Sequence, residues 1–561
     1  MSEQPFPARF FGMSPDPSLQ PLGQVIEGSL SEGVIIRLDE RAVLEGVKSG
    51  IYVSIKGRTD RTFFGLVTDV HLDSLEPRML RVSAPIGSLR QKSYEGILTF
   101  GLVQVKLMLM REGAQGEFKP ARSIPSHFSV AYRSTPEEVQ AIFQANSQTG
   151  YRIGEAIDNP DLGVYIDLER IVERSTAVFG RSGTGKTFLT LPLIAQIIRA
   201  NLASVLIFDM HNDYGYTLKG DKGKPFHGLK RLGAIRDRVV IVTLDEDSSR
   251  ARGASYEFPL QIGYNQIQPQ DIEMLRGALS LSDVQVNALY ALKRRLPEEW
   301  LHALLSDDMP EVVQEMIDTN KLTESTYNAM QRKLGRLLQF GFLKEQVLDD
   351  YAERILQHLQ KGDSVVVEFG RYGNDLPAYV FVANFLTRRI HDRYIEMKEA
   401  AEGGKGAEPK KLVIAIEEAH KFLQPGVADL TVFGTIAREL RKYNVTLLIV
   451  DQRPSQIDSE IMSQIGTRIT CALSDEEDIA AVFTGIGGAR ELRNVLAGLE
   501  SKQQALIMGH AVPMPVVVRT TEYGEAVYKA FADPLDGLSL DEIAAENRRK
   551  LGRRGLDESL V

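Results

Sequence analysis

Apolar and polar positions change their period several times along the chain, and each change predicts a different kind of element. Residues 1 to about 20 carry Pro and Phe with no period and read as a loose arm. From Leu22 to about Val130 the runs are short, β-branched and broken by glycine: 23–28, 32–38, 50–55, 63–70 and 96–107. Short strands between turn signals predict a small β-barrel. Residues 135–170 read as a linker with a helix over Pro136–Asn146 and an extended stretch from Gly163 to Leu168. A continuous apolar run, Ala177–Phe179, predicts a buried strand, and Leu189, Leu191, Leu193, Ile194, Ile197 and Ile198 then recur at helical spacing. Further buried strands are predicted at 204–209, 239–244, 364–369, 412–416 and 445–450. Residues 265–360 read as helical, with Tyr327, Met330, Leu334, Leu337 and Leu338 on one stripe. A helix is predicted over 430–443, with Val432, Phe433, Ile436 and Leu440 on its apolar side. A helix at 489–499 and strands at 504–508 and 515–520 close the core, and a charged tail bearing Arg548, Arg549, Lys550, Arg553 and Arg554 follows.

Strands alternating with helices predict an α/β chain built on a P-loop core. The expected division is an N-terminal β-barrel with arm and linker (1–150), a first part of the core (151–264), a helical insertion (265–360), a second part of the core (361–535) and a charged C-terminal tail or brace (536–561). Length allows this: 561 residues suffice for about three domains.

The chemistry sits first between the Ala177 strand and the Leu189 helix. Gly180, Arg181, Ser182, Gly183, Thr184, Gly185, Lys186, Thr187 and Phe188 span the pattern G-x-x-x-x-G-K-T and the residue after it. In this strand–loop–helix context the glycines let backbone N–H groups face phosphate oxygens, and the helix adds its positive end. Lys186 is expected to reach the β- and γ-phosphates of ATP, and the Thr187 hydroxyl to ligate Mg²⁺.

Acids follow at strand ends, where ligands of open α/β sheets bind. Asp209, His211 and Asp213 either face the nucleotide and its metal or simply make a turn. Glu417 and Glu418 end a buried strand; beside a P-loop, Glu417 is expected on Mg²⁺ and Glu418 on the attacking water. His420 either orients Glu418 or caps locally. Arg438 and Arg441, three apart on one helix, are a solvated pair or a trans-acting finger. Gln452, at the end of the 445–450 strand, is a candidate γ-phosphate sensor. Arg174 is either a surface residue or a cation offered to a neighbour's nucleotide. Lys219, Lys222, Lys224, Lys230 and Arg231 make a solvated loop or a DNA-contacting one.

Bulk properties narrow the setting. The single cysteine, Cys471, excludes an internal disulfide framework and a cysteine-based metal site. No apolar run approaches membrane-spanning length, and the first residues lack a signal peptide's form, so a cytoplasmic protein is expected. Net charge is −9 (66 Lys+Arg against 75 Asp+Glu), which argues against a surface coated with nucleic acid and does not exclude a local basic channel. Few aromatics alternate with Lys or Arg in the barrel segment, so that segment is read as a docking module rather than a stacking platform.

In order along the chain, the P-loop, Asp209-x-His211, Glu417-Glu418-Ala419-His420, Arg438 to Tyr443 and Gln452-Arg-Pro-Ser455 resemble HerA, within the HerA–FtsK group of ATPases. The resemblance covers nearly the whole chain. It implies a RecA-like core, a barrel of the family's type, and a homohexamer that threads double-stranded DNA through a central channel and hydrolyses ATP at subunit interfaces with Arg438 and Arg441 acting in trans. It also implies a partner: a NurA-like nuclease in DNA-end resection, or an effector subunit in anti-phage defence. A nucleotide-gated scaffold that does not move DNA is the alternative from another class. Met210, Asp213 and Asp451 depart from the family's usual residues, which leaves the role of 209–214 open.

Overall fold

The computed structural model describes residues 20–39, 42–75, 99–143, 149–157, 159–219, 225–306, 308–439, 442–486, 489–500 and 502–533. The arm, the charged tail, Leu440, Arg441, Lys222 and Lys224 lie outside them.

The N-terminal strands close into an antiparallel barrel. Gly33–Leu38, Pro21–Ser29, Val130–Arg133, Tyr52–Lys56, Arg61–Ser74 and Thr99–Glu112 pair in that order, and Gly33–Leu38 pairs back onto Thr99–Glu112. Closure leaves no open edge among these strands. Its interior is aliphatic, with Val34, Ile36, Val53, Ile55, Val67, Val103 and Val105 buried. Gly33 sits where the closing strands touch: its φ is +92°, and a Cβ there would lie 2.3 Å from the Val105 carbonyl oxygen. The barrel meets the core through Tyr52, whose hydroxyl donates to the Pro515 carbonyl at 3.0 Å.

The core is built on one twelve-stranded sheet. Its parallel part runs Phe258–Pro259, Val239–Thr243, Ser364–Glu368, Ser204–Asp209, Leu412–Glu417, Val445–Asp451, Thr176–Phe179 and Thr467–Cys471. Most of these strands are buried, nearly continuous apolar runs, as strands covered on both faces must be; Thr467–Cys471 is equally buried but carries Thr467, Arg468 and Thr470. The register sets Phe179 beside Asp451, Glu417 beside Val450 and Asp209 beside Glu368, so the chemistry-bearing ends share one edge. The sheet continues antiparallel through Gln504–Gly509, Val516–Thr520, Gly150–Ala156 and Asn159–Asp167. Residues 150–167, read from sequence as linker, are therefore the outer hairpin of this sheet; glycines at 150, 154 and 163 obscured their alternation.

The helical insertion leaves and re-enters at adjacent points, because Ile262–Gly263 pairs in parallel with Leu343–Lys344. Its helices include Asp283–Arg295, Trp300–Leu305, Glu311–Asp318 and Glu324–Leu334. Tyr327, Met330, Leu334 and Leu337 are buried as the stripe requires, but Leu338 is 54% exposed. The α-helix ends at Leu334 and tightens to a 3₁₀ turn over Gly335–Gln339, which rotates Leu338 off the stripe. A helix unmarked in the sequence reading, Leu376–Glu402, runs for 27 residues. Asp375 caps it by accepting from Ala378 N. Its first half is buried so fully that no amphipathic period appears. Arg388 on this helix grips Asp271 of the insertion through two bonds, at 2.9 and 2.7 Å.

Candidate active site

The P-loop backbone takes the conformation its glycines permit. Gly180, Gly183 and Gly185 have φ of +156°, +77° and +97°, a region costly for any residue with a Cβ. Gly185 caps the helix Lys186–Arg199. Within the loop, Thr184 Oγ1 donates to the Arg181 carbonyl at 2.8 Å. Lys186 Nζ donates to the carbonyls of Gly180 (2.7 Å) and Arg181 (3.2 Å), which holds the ammonium over the loop. Burial lowers the Lys186 pKa from its ordinary value, and the nearby Glu418 carboxylate opposes that shift.

A cavity of about 440 Å³ opens above the loop. Residues 182–189 line it, together with His211, Asp213, Glu417, Glu418, Gln452 and Cys471. Phe226, Lys502, Gln503 and residues 520–523 line it as well. Phe188 packs edge-on against Phe226 with ring centroids 4.9 Å apart, and Tyr523 closes the aromatic group at 6.2 Å from Phe188. This aromatic group suits the apolar faces of a ring, and the P-loop suits phosphates. Of its residues the sequence reading named only Phe188, because the others come from segments far apart in the chain. Burial pushes the Cys471 thiol up to about 11, so it faces the cavity as an inert protonated group.

The two adjacent acids are held quite differently. Glu417 receives a hydrogen bond on Oε1 from the Tyr214 hydroxyl at 3.2 Å, and Tyr379 Oη donates to its carbonyl at 2.9 Å. Its Oε2 is enclosed and has no partner. Burial pushes its pKa up to about 7, with His211 pulling the other way. An enclosed, unpartnered carboxylate oxygen beside Thr187 in one cavity is a donor set that fits a divalent cation. Glu418 has φ +47°, a left-handed conformation rare for a residue with a long side chain. Gln452 Nε2 donates to Glu418 Oε1 at 2.9 Å. His420 is buried and pairs with Asp451, while its Nδ1 lies 3.6 Å from Glu418 Oε2. The Asp451–His420 pairing and the tyrosines that hold Glu417 went unmarked in the sequence: Asp451 and His420 stand at or just beyond strand ends, Tyr214 in the loop after Asp209 and Tyr379 within the helix Leu376–Glu402.

Other candidates stand elsewhere. Asp209 is fully buried and turned away from the cavity. Its carboxylate accepts from the backbone N–H of Asp213 (2.8 Å), Tyr214 (2.8 Å) and Gly215 (3.3 Å), so it shapes the loop that presents His211 and Asp213. Burial and the neighbouring Glu368 hold its pKa well above the usual carboxylate range. Arg174 packs against Gly466 and does not line the cavity. Arg438 is paired with Asp429 (2.7 Å) and Glu460 (3.4 Å), away from its own chain's cavity. Arg441 is outside the described residues. Lys230 is paired with Glu257 at 2.7 Å, so it is not a free basic loop residue; Arg231 is exposed.

A P-loop strand flanked by parallel neighbours, with a pair of strand-end acids lining the same cavity as the loop, defines a P-loop ATPase. Residues 151–390 match the family described as "Helicase HerA, central domain". The chain is 24% identical over 492 residues to the DNA double-strand break repair helicase HerA of Sulfolobus acidocaldarius, covering 86% of this chain and 90% of that one. It is 22% identical over 463 residues to the protein of the same name from Pyrococcus furiosus, covering 77% and 80%. Among solved structures, VirB4 of Thermoanaerobacter pseudethanolicus aligns with 14% identity and a TM-score of 0.44, over 68% of this chain and 99% of that one. The chain is a P-loop ATPase similar to the HerA helicases over most of its length. Among the described residues, no helix is long and apolar enough to cross a membrane.

Proposed function

We propose that this chain is the subunit of a homohexameric ring that hydrolyses ATP at its subunit interfaces and drives double-stranded DNA through a central channel, as a cytoplasmic translocase or helicase. The division into barrel, core, helical insertion and C-terminal brace is part of this reading, with the barrel as the docking module for a NurA-like nuclease in DNA-end resection. Support comes from the relatives, which are named DNA double-strand break repair helicases. The observation that carries the chemistry is the bond from Gln452 to Glu418 in the cavity that Lys186 also lines, where residues of three distant motifs meet.

In this reading Lys186 and the loop N–H groups hold the β- and γ-phosphates, with the base toward Phe226 and Tyr523. Thr187 and Glu417 would hold Mg²⁺, which when bound neutralises phosphate charge. Glu418 takes the proton of the attacking water, and Gln452 orients both Glu418 and the γ-phosphate. Arg438 and Arg441 of the adjacent subunit complete the site. The Arg438 pairs with Asp429 and Glu460 then hold the side chain until a neighbour's phosphate competes for it. Hydrolysis removes that anchor and lets subunits shift along the DNA backbone. Such contacts read no bases, so binding weakens steeply with salt and ignores sequence.

The test is ATPase activity with and without duplex DNA, together with displacement of a third strand from a triplex. DNA-stimulated hydrolysis with displacement is expected; hydrolysis indifferent to DNA, with no displacement, contradicts the motor reading.

A further inference from the structure

We infer that Asp451 is a positioning residue for ATP hydrolysis, acting through His420 and Gln452 to set the carboxylate of Glu418. The inference rests on the role of Glu418 proposed above and extends it to residues with no role there.

Asp451 ends the strand beside the P-loop strand and is buried to 1% exposure. Its carboxylate faces three donors. His420 N donates to Oδ2 at 2.7 Å, Arg453 N donates to Oδ1 at 2.7 Å, and the His420 ring nitrogen Nδ1 lies 3.0 Å from Oδ2 and 3.1 Å from Oδ1. With a carboxylate oxygen as the acceptor, Nδ1 is the donor of this pair. That same Nδ1 is 3.6 Å from Glu418 Oε2, and the other oxygen of Glu418 is held by Gln452 at 2.9 Å. Gln452, which bonds Glu418, is therefore tied to this buried carboxylate through the backbone of the next residue, and His420, whose ring stands against the other Glu418 oxygen, is bonded to it directly. The Asp451 carbonyl also accepts from Gly180 N at 3.2 Å, which joins this knot to the first residue of the P-loop.

The strain at Glu418 supplies the reason for such a knot. A glutamate at φ +47° stays there only where its surroundings over-determine it. With the 417–420 turn fastened to the 451–453 turn, Glu418 is kept at the cavity with little freedom to swing away. A catalytic base gains from this, because misplacing it weakens the transition state while leaving substrate binding untouched.

The experiment measures kcat and KM for ATP in the full-length protein for Asp451→Asn, His420→Ala, their double variant and His420→Asn. The Asn side chain puts a donor where Nδ1 stands. Asp451→Asn is expected to lower kcat by about tenfold or more with KM for ATP within about twofold. The double variant is expected to match His420→Ala within about twofold, because the two residues act on one chain of contacts. His420→Asn is expected to recover about tenfold over His420→Ala. Losses that multiply in the double variant, a rise in KM with kcat unchanged, or no recovery by His420→Asn each overturn the inference. If Asp451→Asn does not fold, the two His420 variants decide it. Absence of hydrolysis in the unaltered protein refutes the nucleotide-site reading itself; hydrolysis that none of these variants alters refutes only the role of Asp451.

Discussion

Gln452 and Glu418 lie 34 positions apart and meet at 2.9 Å, Nε2 donating to Oε1, at the ends of neighbouring parallel strands. The bond aims the acid at the cavity without consuming its second oxygen. Glu418→Gln is expected to lose about 10²-fold or more in kcat while still binding ATP, as removal of a general base does. Gln452→Ala is expected to lose about tenfold in kcat with KM little changed. Steady-state ATPase assays with a separate nucleotide-binding titration separate the two effects.

Asp209 organises a loop, so its loss should be felt as stability. In Asp209→Ala three backbone N–H groups lose their acceptor, at a cost of about 3 kcal/mol or more. Asp209→Asn keeps one acceptor and should be milder, because burial already favours the uncharged acid. Denaturant unfolding of both variants checks the order, and KM for ATP in Asp209→Asn should stay near that of the parent.

Glu417 makes the cation-free protein sensitive to pH. Its folded pKa is raised from 4.5 to about 7. Between those values the folded state keeps a proton that the unfolded state has released, so stability falls as pH rises through this window. Thermal melts in chelator across pH 5 to 8 should show this decline, and Glu417→Gln should flatten it. Divalent-cation binding should strengthen over the same range, because the proton must leave first.

Leu334 and Leu338 separate the α-helix from the 3₁₀ turn that follows it. Leu334 is fully buried and Leu338 is 54% exposed. Leu334→Ala should cost about 2–5 kcal/mol, and Leu338→Ala should stay within about 0.5 kcal/mol of the parent. Equal losses would mean that the helix continues with its first register.

What could be read from the sequence was local. The P-loop, the Glu417 strand and the barrel strands other than Val130–Arg133 carry their signal in a few adjacent residues, so both their type and their approximate place were legible. The direction of a side chain was not. Asp209 ends a strand as a ligand-binding acid would, yet its carboxylate turns into the following loop, because three N–H groups there need an acceptor. The Phe226–Tyr523 wall joins residues nearly 300 positions apart, and no window along the chain holds both. The helix Leu376–Glu402 was hidden by its burial, which erased the polar face that marks a helix.

The claim at the centre of this account is that each ATP site is half a site, completed by the next subunit. Mixing two inactive variants tests it: Glu418→Gln, which lacks the base, and the double variant Arg438→Ala with Arg441→Ala, which lacks the trans-acting cations. Within a mixed ring, some interfaces pair an intact Glu418 with intact arginines. The account predicts ATPase activity in the mixture above that of either parent, peaking at intermediate ratios. A mixture that never exceeds its parents at any ratio, with ring assembly verified, contradicts it.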